Sequence, residues 1–205
     1  RPPRSTLFPY TTLFRSVGSQ LHNNESHLKA LDTSLKLIKD TKEKYGYVTP
    51  EINIGGGYGI RYTDADNVKP YSYFLDPIMD KIEKFSKELN ITRPEVVIEP
   101  GRSIVGEAGI TLYTVGTIKN IPSIRKYVSV DGGMTDNIRP ALYQAKYEGL
   151  VANKADMPKT DTVTICGKCC ESGDILIKDI QVAPPERGDI FAIFSTGAYC
   201  YTMAS

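Results

Sequence analysis

The chain has 205 residues, of which 40% are hydrophobic and 24% are charged, and its formal net charge at pH 7 is +1. That charge gives no electrostatic basis for binding nucleic acid or an anionic membrane, and no apolar run approaches the roughly 20 residues that span a bilayer. We expect a globular protein with one large or two small domains, in the cytoplasm because no signal peptide is visible.

The first sixteen residues differ from the rest. They read RPPRSTLFPYTTLFRS and contain the unit Thr-Leu-Phe twice. They show no sustained helical or strand period and resemble translated sequencing-adaptor sequence, so we expect a non-native segment over 1–16 and exclude it from the fold. The alternative is a genuine N-terminal strand with an aromatic face. On the adaptor interpretation, the natural sequence begins here at Val17 and has lost its upstream part.

The next part of the chain alternates helices and strands. Apolar residues at helical spacing predict one helix over 26–45, followed by Gly46 as a C-cap, and a second helix over 73–89. Short apolar segments predict strands over 51–54 and 95–99. This order indicates βα units with a parallel sheet.

From about Ile104 the pattern changes to short strands separated by turn residues. Five segments have this character: 110–118, 126–131, 161–166, 175–182 and 189–194. Long helical periods are scarce, so we expect a mostly antiparallel β domain. We place the boundary near 103–108, with residues 17–105 in the first domain and 106–205 in a second, incomplete domain.

A glycine-rich loop, Gly55-Gly56-Gly57-Tyr58-Gly59, follows the first predicted strand. A dinucleotide-binding loop would open directly into a helix, whereas residues 60–70 are rich in Asp, Asn and Pro. We therefore interpret Gly55, Gly56 and Gly57 as a phosphate cradle of backbone N–H groups after a strand of a (β/α)8 barrel. The alternative is a tight turn that needs glycine at positive φ.

The second strand ends in Glu99-Pro100-Gly101-Arg102. Glu99 lies at a strand end, where a barrel places catalytic groups, and a carboxylate facing a pyridine nitrogen keeps that nitrogen protonated. Arg102 offers a guanidinium to a phosphate or carboxylate. The alternative is an exposed ion pair at a turn, which contributes little to stability.

Arg139 and Tyr143 are four residues apart in Arg139-Pro140-Ala141-Leu142-Tyr143. On a short helical turn both could face one way and hold a substrate carboxylate together. The alternative is a loop that packs Leu142 and leaves Arg139 in solvent.

Cys170 precedes Glu171 and Asp174. Carboxylates beside a thiol favour its protonated form, which suits a proton donor better than a nucleophile. The alternative is a loop cysteine beside surface acids. Tyr199 offers a hydroxyl to a phosphate, or packs as an ordinary aromatic side chain.

The chain has four cysteines: Cys166, Cys169, Cys170 and Cys200. A structural zinc site usually takes four ligands in two separated pairs, and both histidines lie far upstream. We expect reduced thiols and no metal.

Taken in order, these motifs resemble the pyridoxal-phosphate (PLP) decarboxylases of the alanine-racemase-like fold, and within them those that act on meso-diaminopimelate. The resemblance covers Val17 to Ser205 and rests on six segments: Gly18-Ser19-Gln20, the glycine loop, Glu99–Arg102, Arg139–Tyr143, Cys170–Asp174 and Gly197–Tyr199. It implies the C-terminal part of a (β/α)8 TIM-type barrel, then a mostly antiparallel β domain, in a homodimer with a shared active site.

The resemblance also implies roles for individual residues. The cofactor contacts would be Gly55, Gly56, Gly57, Glu99, Pro100, Gly101, Arg102 and Tyr199. The substrate contacts would be Arg102, Arg139, Tyr143, Glu171 and Tyr199, with Glu171 on the distal amino group. Cys170 would donate the proton after carbon dioxide leaves the D-centre, and the product would be L-lysine.

Two departures from the family pattern qualify these expectations. The family has His-x-Gly-Ser-Gln, with the histidine stacked on the cofactor ring, where this chain has Ser16. The lysine that forms the Schiff base lies further upstream in the family, and Lys154 comes in the wrong order to replace it. We therefore expect the chain as written to be inactive.

Three alternatives remain open on the same resemblance. One is a decarboxylase of the same fold for ornithine, arginine or carboxynorspermidine, although Glu171 stands where ornithine enzymes usually carry Asp. Another is a non-catalytic regulator on this fold, which retention of Glu99, Arg102 and Cys170 argues against. The third is a racemase of related barrel fold, which would not need Cys170.

Overall fold

The computed structural model describes residues 18–204. The segment predicted to be adaptor-like, 1–16, lies outside them, as does the position aligned with the family histidine. The described chain divides into two compact units. The first contains the residues up to Ile60 together with Asn67–Ser103, and the second contains Arg61–Asp66 together with the residues from Ile104 onward.

The first unit alternates helices and strands as predicted. Its elements are α1 (Glu25–Tyr45), β1 (Glu51–Gly56), α2 (Tyr71–Glu88) and β2 (Glu95–Glu99), and the short helix α3 (Arg102–Val105) follows β2. β1 and β2 pair in parallel, with Gly56 opposite Glu99. The predicted parallel pairing is confirmed, whereas a complete barrel remains a proposal.

The apolar faces of α1 and α2 form the core of this unit with β1. The buried side chains are Leu31, Leu35, Ile38, Ile52, Ile78 and Ile82. Their spacing on the helices is the helical period seen in the sequence. α1 ends at Gly46, which has a φ of 67° and donates its N–H to the Lys42 carbonyl at 2.8 Å, as a C-cap glycine does.

A proline interrupts the hydrogen bonding of α2. Pro77 has no N–H to donate to the carbonyl of Tyr73, four residues earlier. The side chain of Asn24, which immediately precedes α1, donates to that carbonyl through Nδ2 at 3.0 Å. The start of α1 therefore supplies the hydrogen bond that Pro77 removes from α2.

The second unit is built on a six-stranded sheet. Its strands are β3 (Thr111–Ile121), β4 (Arg125–Val130), β5 (Gly149–Val151), β6 (Asp161–Cys166), β7 (Ile175–Val182) and β8 (Ile190–Ile193). They lie in the order β5-β8-β3-β4-β6-β7. Only the β4–β6 pairing is parallel within the described sheet, so the predicted mostly antiparallel β domain is confirmed. The three-residue strand β5 was not predicted.

A short helix and two single turns complete the regular structure of residues 18–204. The helix is α4 (Arg139–Tyr143), and the turns are 3-10 helices at Ala152–Lys154 and Tyr201–Met203. The helical turn predicted at 139–143 is therefore confirmed. No helix in the described part of the chain combines the length and apolar character needed to cross a membrane.

Residues 61–66, which we call the strap, follow the glycine-loop segment in sequence but pack in the second unit. The carbonyl of Arg61 accepts a hydrogen bond from Ser195 Oγ at 2.8 Å. The N–H of Asp64 donates to the Glu148 carboxylate at 2.7 Å. The sequence analysis assigned these residues to the first domain, and it gave no indication that they join the β-rich unit.

We predict that Ile82→Ala will destabilise the first unit. Ile82 is fully buried between the helices and β1, and truncating a buried isoleucine costs about 2–5 kcal/mol because it leaves a cavity. Leu37→Ala, at an exposed position of α1, should change the free energy of unfolding by less than about 0.5 kcal/mol. Urea unfolding followed by circular dichroism measures both, and equal effects would contradict this core.

Candidate functional site

The glycine loop packs directly against the Gly18–Gln20 segment. The N–H of Leu21 donates to the Gly57 carbonyl at 2.9 Å, and the N–H of Gly59 donates to the Leu21 carbonyl at 2.8 Å. Gly57 has a φ of 87°, and a Cβ there would lie 2.3 Å from the Gly18 carbonyl oxygen. Two motifs that lie far apart in sequence thus form one surface in the first unit.

Arg102 joins this surface from the end of β2. Its Nη2 donates to Ser19 Oγ at 2.8 Å and its Nη1 to Gln20 Oε1 at 3.3 Å. The Gln20 side chain also bonds both backbone groups of Ile60, accepting at 3.1 Å and donating at 2.5 Å. Sequence analysis identified Arg102 as a site residue, but it saw Ser19 and Gln20 only as parts of a motif.

The ends of β1 and β2 meet without side chains between them. A Cβ on Gly56 would lie 1.9 Å from the Glu99 carbonyl oxygen, so only glycine allows this approach. Asn53 bridges the two strands, since its Nδ2 donates to Glu99 Oε1 at 2.8 Å while its Oδ1 accepts from the Gly55 N–H at 2.8 Å. The Glu99 carboxylate is therefore held beside the glycine loop.

The Pro100-Gly101 turn links Glu99 to Arg102. The Pro100 carbonyl accepts from the N–H of Ser103 at 2.9 Å and from its hydroxyl at 2.7 Å. Gly101 has a φ of 47°. The turn thus gives the backbone between the Glu99 carboxylate and the Arg102 guanidinium a defined conformation.

These groups suit a phosphate-bearing ligand with a ring nitrogen. The guanidinium of Arg102 and the hydroxyl of Ser19 offer positive charge and a hydrogen-bond donor, which are groups that bind phosphate, whereas the N–H of Gly55 is already donated to Asn53. Glu99 supplies a carboxylate at the same strand ends. The structure thus brings together the predicted cofactor contacts from both strand ends.

A buried histidine, His27, forms a hydrogen bond with the backbone of the glycine loop. His27, in the first turn of α1, donates from Nε2 to the Gly56 carbonyl at 2.8 Å. Its ring stacks on Tyr58 with the centroids 5.2 Å apart. Sequence analysis noted only that His27 lies far upstream of the cysteines, and it missed this contact.

In the second unit, Arg139 is a buried cation, with 8% of its surface exposed. Its Nη1 donates to Tyr147 Oη at 2.5 Å, and the guanidinium lies 4.8 Å from the centre of the Tyr62 ring. No carboxylate of the described residues forms an ion pair with it. Burial opposes its charge, but Tyr147 and Tyr62 outweigh that effect and raise the pKa of Arg139.

A buried positive charge without a carboxylate attracts an anion, because its desolvation is otherwise uncompensated. This supports the prediction that Arg139 binds a substrate carboxylate. Tyr143 lies on the same helical turn but is 60% exposed. α4 therefore places the two side chains in different surroundings, and their joint action on one carboxylate stays a prediction.

The loop that carries Cys170 is organised by Asp174. The thiol of Cys170 is exposed, whereas Asp174 is buried. Asp174 Oδ1 accepts from the Met134 N–H at 2.6 Å, and Oδ2 accepts from the Cys169 N–H at 2.8 Å. The N–H of Lys168 also donates to the Gly132 carbonyl at 3.0 Å. The acid that the sequence placed near the thiol thus holds the Cys170 loop against the loop at 131–134.

Glu171 and Tyr199 are both exposed. The Gly173 N–H and the Ser172 hydroxyl bond to Glu171 Oε1 and lower the pKa of that carboxyl, so it is ionised near neutral pH. Tyr199 has a φ of 61°, unusual for a residue with a side chain. The charge of Glu171 is the sign that a cationic amino group needs, and its role in binding one stays a prediction.

The described residues 18–204 contain no group of three or more His, Cys, Asp or Glu side chains placed to hold a metal ion. The candidate residues fall into two separate groups, one in each unit. The first unit holds the glycine loop, Ser19, Glu99 and Arg102. The second holds Arg139, Tyr143, the Cys170 loop and Tyr199.

Comparison with protein families identifies one match across most of the chain. Residues 17–197 match the family described as pyridoxal-dependent decarboxylase, C-terminal sheet domain. The matched range includes every residue group described above except Tyr199.

Individual relatives are 46–50% identical to the chain over the aligned residues. The diaminopimelate decarboxylase of Staphylococcus aureus (strain COL) is 50% identical over 190 residues, which are 92% of this chain and 44% of that protein. That of Bacillus subtilis (strain 168) is 46% identical over 189 residues, which are 92% of this chain and 43% of that protein. The chain spans less than half the length of these curated relatives.

Solved structures show the same similarity. The diaminopimelate decarboxylase from M. jannaschii in complex with L-lysine matches with a TM-score of 0.83 and 33% identity over 92% of this chain and 42% of that one. The Helicobacter pylori enzyme complexed with L-lysine gives 0.74 and 32%, over 92% and 44%. A lysine/ornithine decarboxylase from Vibrio vulnificus, at 22% identity over 92% and 49% and a TM-score of 0.76, shares the fold.

We predict that Asp174→Asn will loosen the Cys170 loop. An amide NH2 would replace one carboxylate oxygen and face a backbone N–H, so the free energy of unfolding should fall by about 1–3 kcal/mol. Asp156→Asn changes an exposed carboxylate in the same unit and serves as the matched control. Thermal unfolding and hydrogen exchange of residues 167–174 would measure the change, and unchanged exchange there would show that Asp174 does not hold the loop.

Proposed function

Because this chain belongs to the family of pyridoxal-dependent decarboxylases, we propose that it serves the conversion of meso-diaminopimelate to L-lysine and carbon dioxide. The observation that carries the proposal is the gathering of Ser19, the glycine loop, Glu99 and Arg102 at the ends of β1 and β2. Relatives named diaminopimelate decarboxylase, 46–50% identical over 92% of the chain, support the substrate. The activity is proposed for a protein of the relatives' length that contains this sequence.

The proposed cofactor is PLP, held by residues of the first unit. Arg102, Ser19 and the backbone of Gly56 and Gly57 would bind its phosphate, and Glu99 would accept a hydrogen bond from its protonated ring nitrogen. Gly55, whose N–H is donated to Asn53, would shape the loop beside the phosphate. When bound, PLP supplies an electron sink for the electron pair left behind as the carboxylate departs. Pro100 and Gly101 keep Glu99 and Arg102 at a fixed spacing.

Residues of the second unit would bind and orient the substrate. Arg139, the buried cation, would bind the carboxylate that the product retains. Glu171, an ionised carboxylate, would bind the distal ammonium group. Tyr143 and Tyr199 are exposed and offer hydroxyl groups to the substrate, and Tyr199 would also touch the cofactor.

Cys170 would provide the proton that replaces carbon dioxide. Its thiol is exposed on a loop that Asp174 anchors, since the Asp174 carboxyl group bonds the N–H of Cys169 in that loop and the N–H of Met134 in the neighbouring loop. A proton held at Sγ can be delivered to the carbon that loses the carboxylate, and a positioned acid of this kind accelerates such a step.

The larger architecture follows from family membership. The parallel pair β1–β2 with its flanking helices would be part of a (β/α)8 barrel. The protein would be a homodimer in which the Cys170 loop reaches the partner's active site. The Schiff-base lysine and the ring-stacking histidine would be supplied by parts of the protein outside residues 17–205.

We predict that a protein of the relatives' length containing this sequence, purified with PLP, will release L-lysine and carbon dioxide in equal amounts from meso-diaminopimelate. The physical reason is that Arg139 and Glu171 would present opposite charges to the carboxylate and the ammonium group of the distal centre, and ornithine has no carboxylate there. Ornithine, offered in a separate reaction, should not be consumed at a comparable rate. Amino-acid analysis and carbon dioxide release measure both reactions.

Each result has a distinct meaning. If ornithine is consumed and diaminopimelate is not, the proposed cofactor site stands and the substrate assignment is wrong. No turnover of any diamino acid, with PLP bound, would favour the non-catalytic regulator.

We predict that Cys170→Ala in that protein will lower kcat by roughly 10²–10⁴-fold, because a positioned general acid contributes that much. The absorbance of bound PLP should be unchanged, since the cofactor contacts lie elsewhere. Cys169→Ala is the matched control, because it removes the neighbouring thiol and keeps the N–H that bonds Asp174. Loss of PLP absorbance in Cys170→Ala would instead indicate a structural role.

A further inference from the structure

A chain of hydrogen bonds runs away from Arg139 through the interior of the second unit. Arg139 Nη1 donates to Tyr147 Oη at 2.5 Å, and Tyr147 Oη lies 3.6 Å from Cys200 Sγ. Cys200 Sγ donates to the Ala198 carbonyl at 3.7 Å. Tyr147 and Cys200 are 4% and 3% exposed, so water does not compete for these contacts.

The chemistry of the three side chains fixes which group donates and which accepts in each of these hydrogen bonds. A guanidinium has only donors, so the oxygen of Tyr147 must accept from Arg139. Cys200 commits its proton to Ala198, which leaves its sulfur as an acceptor for the hydroxyl proton of Tyr147. Every proton therefore points away from Arg139, toward the backbone of Ala198.

Both middle groups keep their protons near neutral pH. Burial raises the pKa of Tyr147 well above that of an exposed tyrosine. Burial also raises the pKa of the Cys200 thiol, although Tyr147 and Arg139 act in the opposite direction. The hydrogen bonds from Arg139 through Tyr147 and Cys200 to Ala198 are thus kept near neutral pH.

Ala198, the last acceptor in this series of hydrogen bonds, lies next to Tyr199, a proposed substrate contact. Ala198 immediately precedes Tyr199, which has a φ of 61°. The same segment is fixed on its other side, because the N–H of Gly197 donates to the Gly106 carbonyl at 3.0 Å. Movement of Arg139 would therefore be transmitted to the backbone that carries Tyr199.

We propose that Tyr147 and Cys200 are positioning residues that hold Arg139 and the Tyr199 segment in one fixed arrangement for the substrate carboxylate. The inference rests on the proposed function, since it concerns the same substrate. Neither residue touches the substrate; each acts through Arg139 or Ala198. The second ring beside the guanidinium, that of Tyr62, comes from the strap.

The test uses the PLP-loaded protein of the relatives' length. Tyr147→Phe keeps the ring and removes only the hydroxyl, so Arg139 loses its hydrogen bond. We predict that KM for meso-diaminopimelate will rise about tenfold, while kcat changes less than about twofold. The inhibition constant of L-lysine, which retains the carboxylate, should rise by the same factor as KM. Tyr127→Phe, on β4 beside Arg125, is the matched control and should change neither constant.

Two substitutions of Cys200 distinguish a hydrogen-bonding role from a packing role. Cys200→Ala removes the hydrogen bonds of the thiol to Tyr147 and Ala198, and it should raise KM about two- to threefold. Cys200→Ser keeps a donor and an acceptor of similar size and should restore KM to the parental value. PLP absorbance and melting temperature, measured for each variant, report on cofactor binding and folding.

The outcomes distinguish this inference from the proposed function. A parental protein that binds PLP but does not act on diaminopimelate refutes the proposed function. If the parental protein is active and Tyr147→Phe has the same KM and lysine inhibition as Tyr127→Phe, the positioning role is wrong. If Cys200→Ser and Cys200→Ala raise KM equally, the hydrogen-bond chain ends at Tyr147 and the role of Cys200 is wrong. A fall in kcat alone would place Tyr147 in the chemical step and overturn its positioning role.

Discussion

The guanidinium of Arg139 carries a positive charge inside the second unit, and the surrounding structure must stabilise it. A buried charge is costly unless hydrogen bonds or π faces replace the lost water. Tyr147 supplies the hydrogen bond from the segment before β5, and Tyr62 supplies a π face from the strap. This requirement gives a physical reason for the strap to pack in the β-rich unit although it directly follows the glycine-loop segment in sequence.

In the first unit, short stretches of backbone approach one another closely at the ends of β1 and β2. Side chains at Gly56 or Gly57 would overlap neighbouring carbonyl oxygens, so bare backbone is needed where the strands and the Gly18 segment converge. Gln20 then uses its side-chain amide as a backbone substitute, bonding both polar groups of Ile60. Packing and donor placement are thus achieved by the same few residues.

Sequence patterns predicted the elements that depend on local periodicity. The helices α1 and α2, the Gly46 cap and seven strands were predicted from helical spacing, short apolar segments and turn residues. The short strand β5 has too few residues to show a period. The contact of Tyr62 with Arg139 could not be predicted, because nothing local links residues 77 positions apart. For the same reason the sequence located Asp174 near the thiol but could not show that its carboxylate would bond the backbone of Met134.

Tyrosines, rather than a carboxylate, beside Arg139 preserve its charge for a ligand. A carboxylate within about 4 Å would neutralise the guanidinium, and a substrate anion would then have to compete with it in a medium of low dielectric. A tyrosine hydroxyl and an aromatic face stabilise the cation through a dipole and a quadrupole, and they leave the net charge at +1. Asp174 shows the converse arrangement, because its buried carboxyl group is bonded by backbone N–H groups and, within residues 18–204, not by a cation. In the second unit the buried Arg139 guanidinium thus has no carboxylate partner among the described residues, and the buried Asp174 carboxylate fixes a loop.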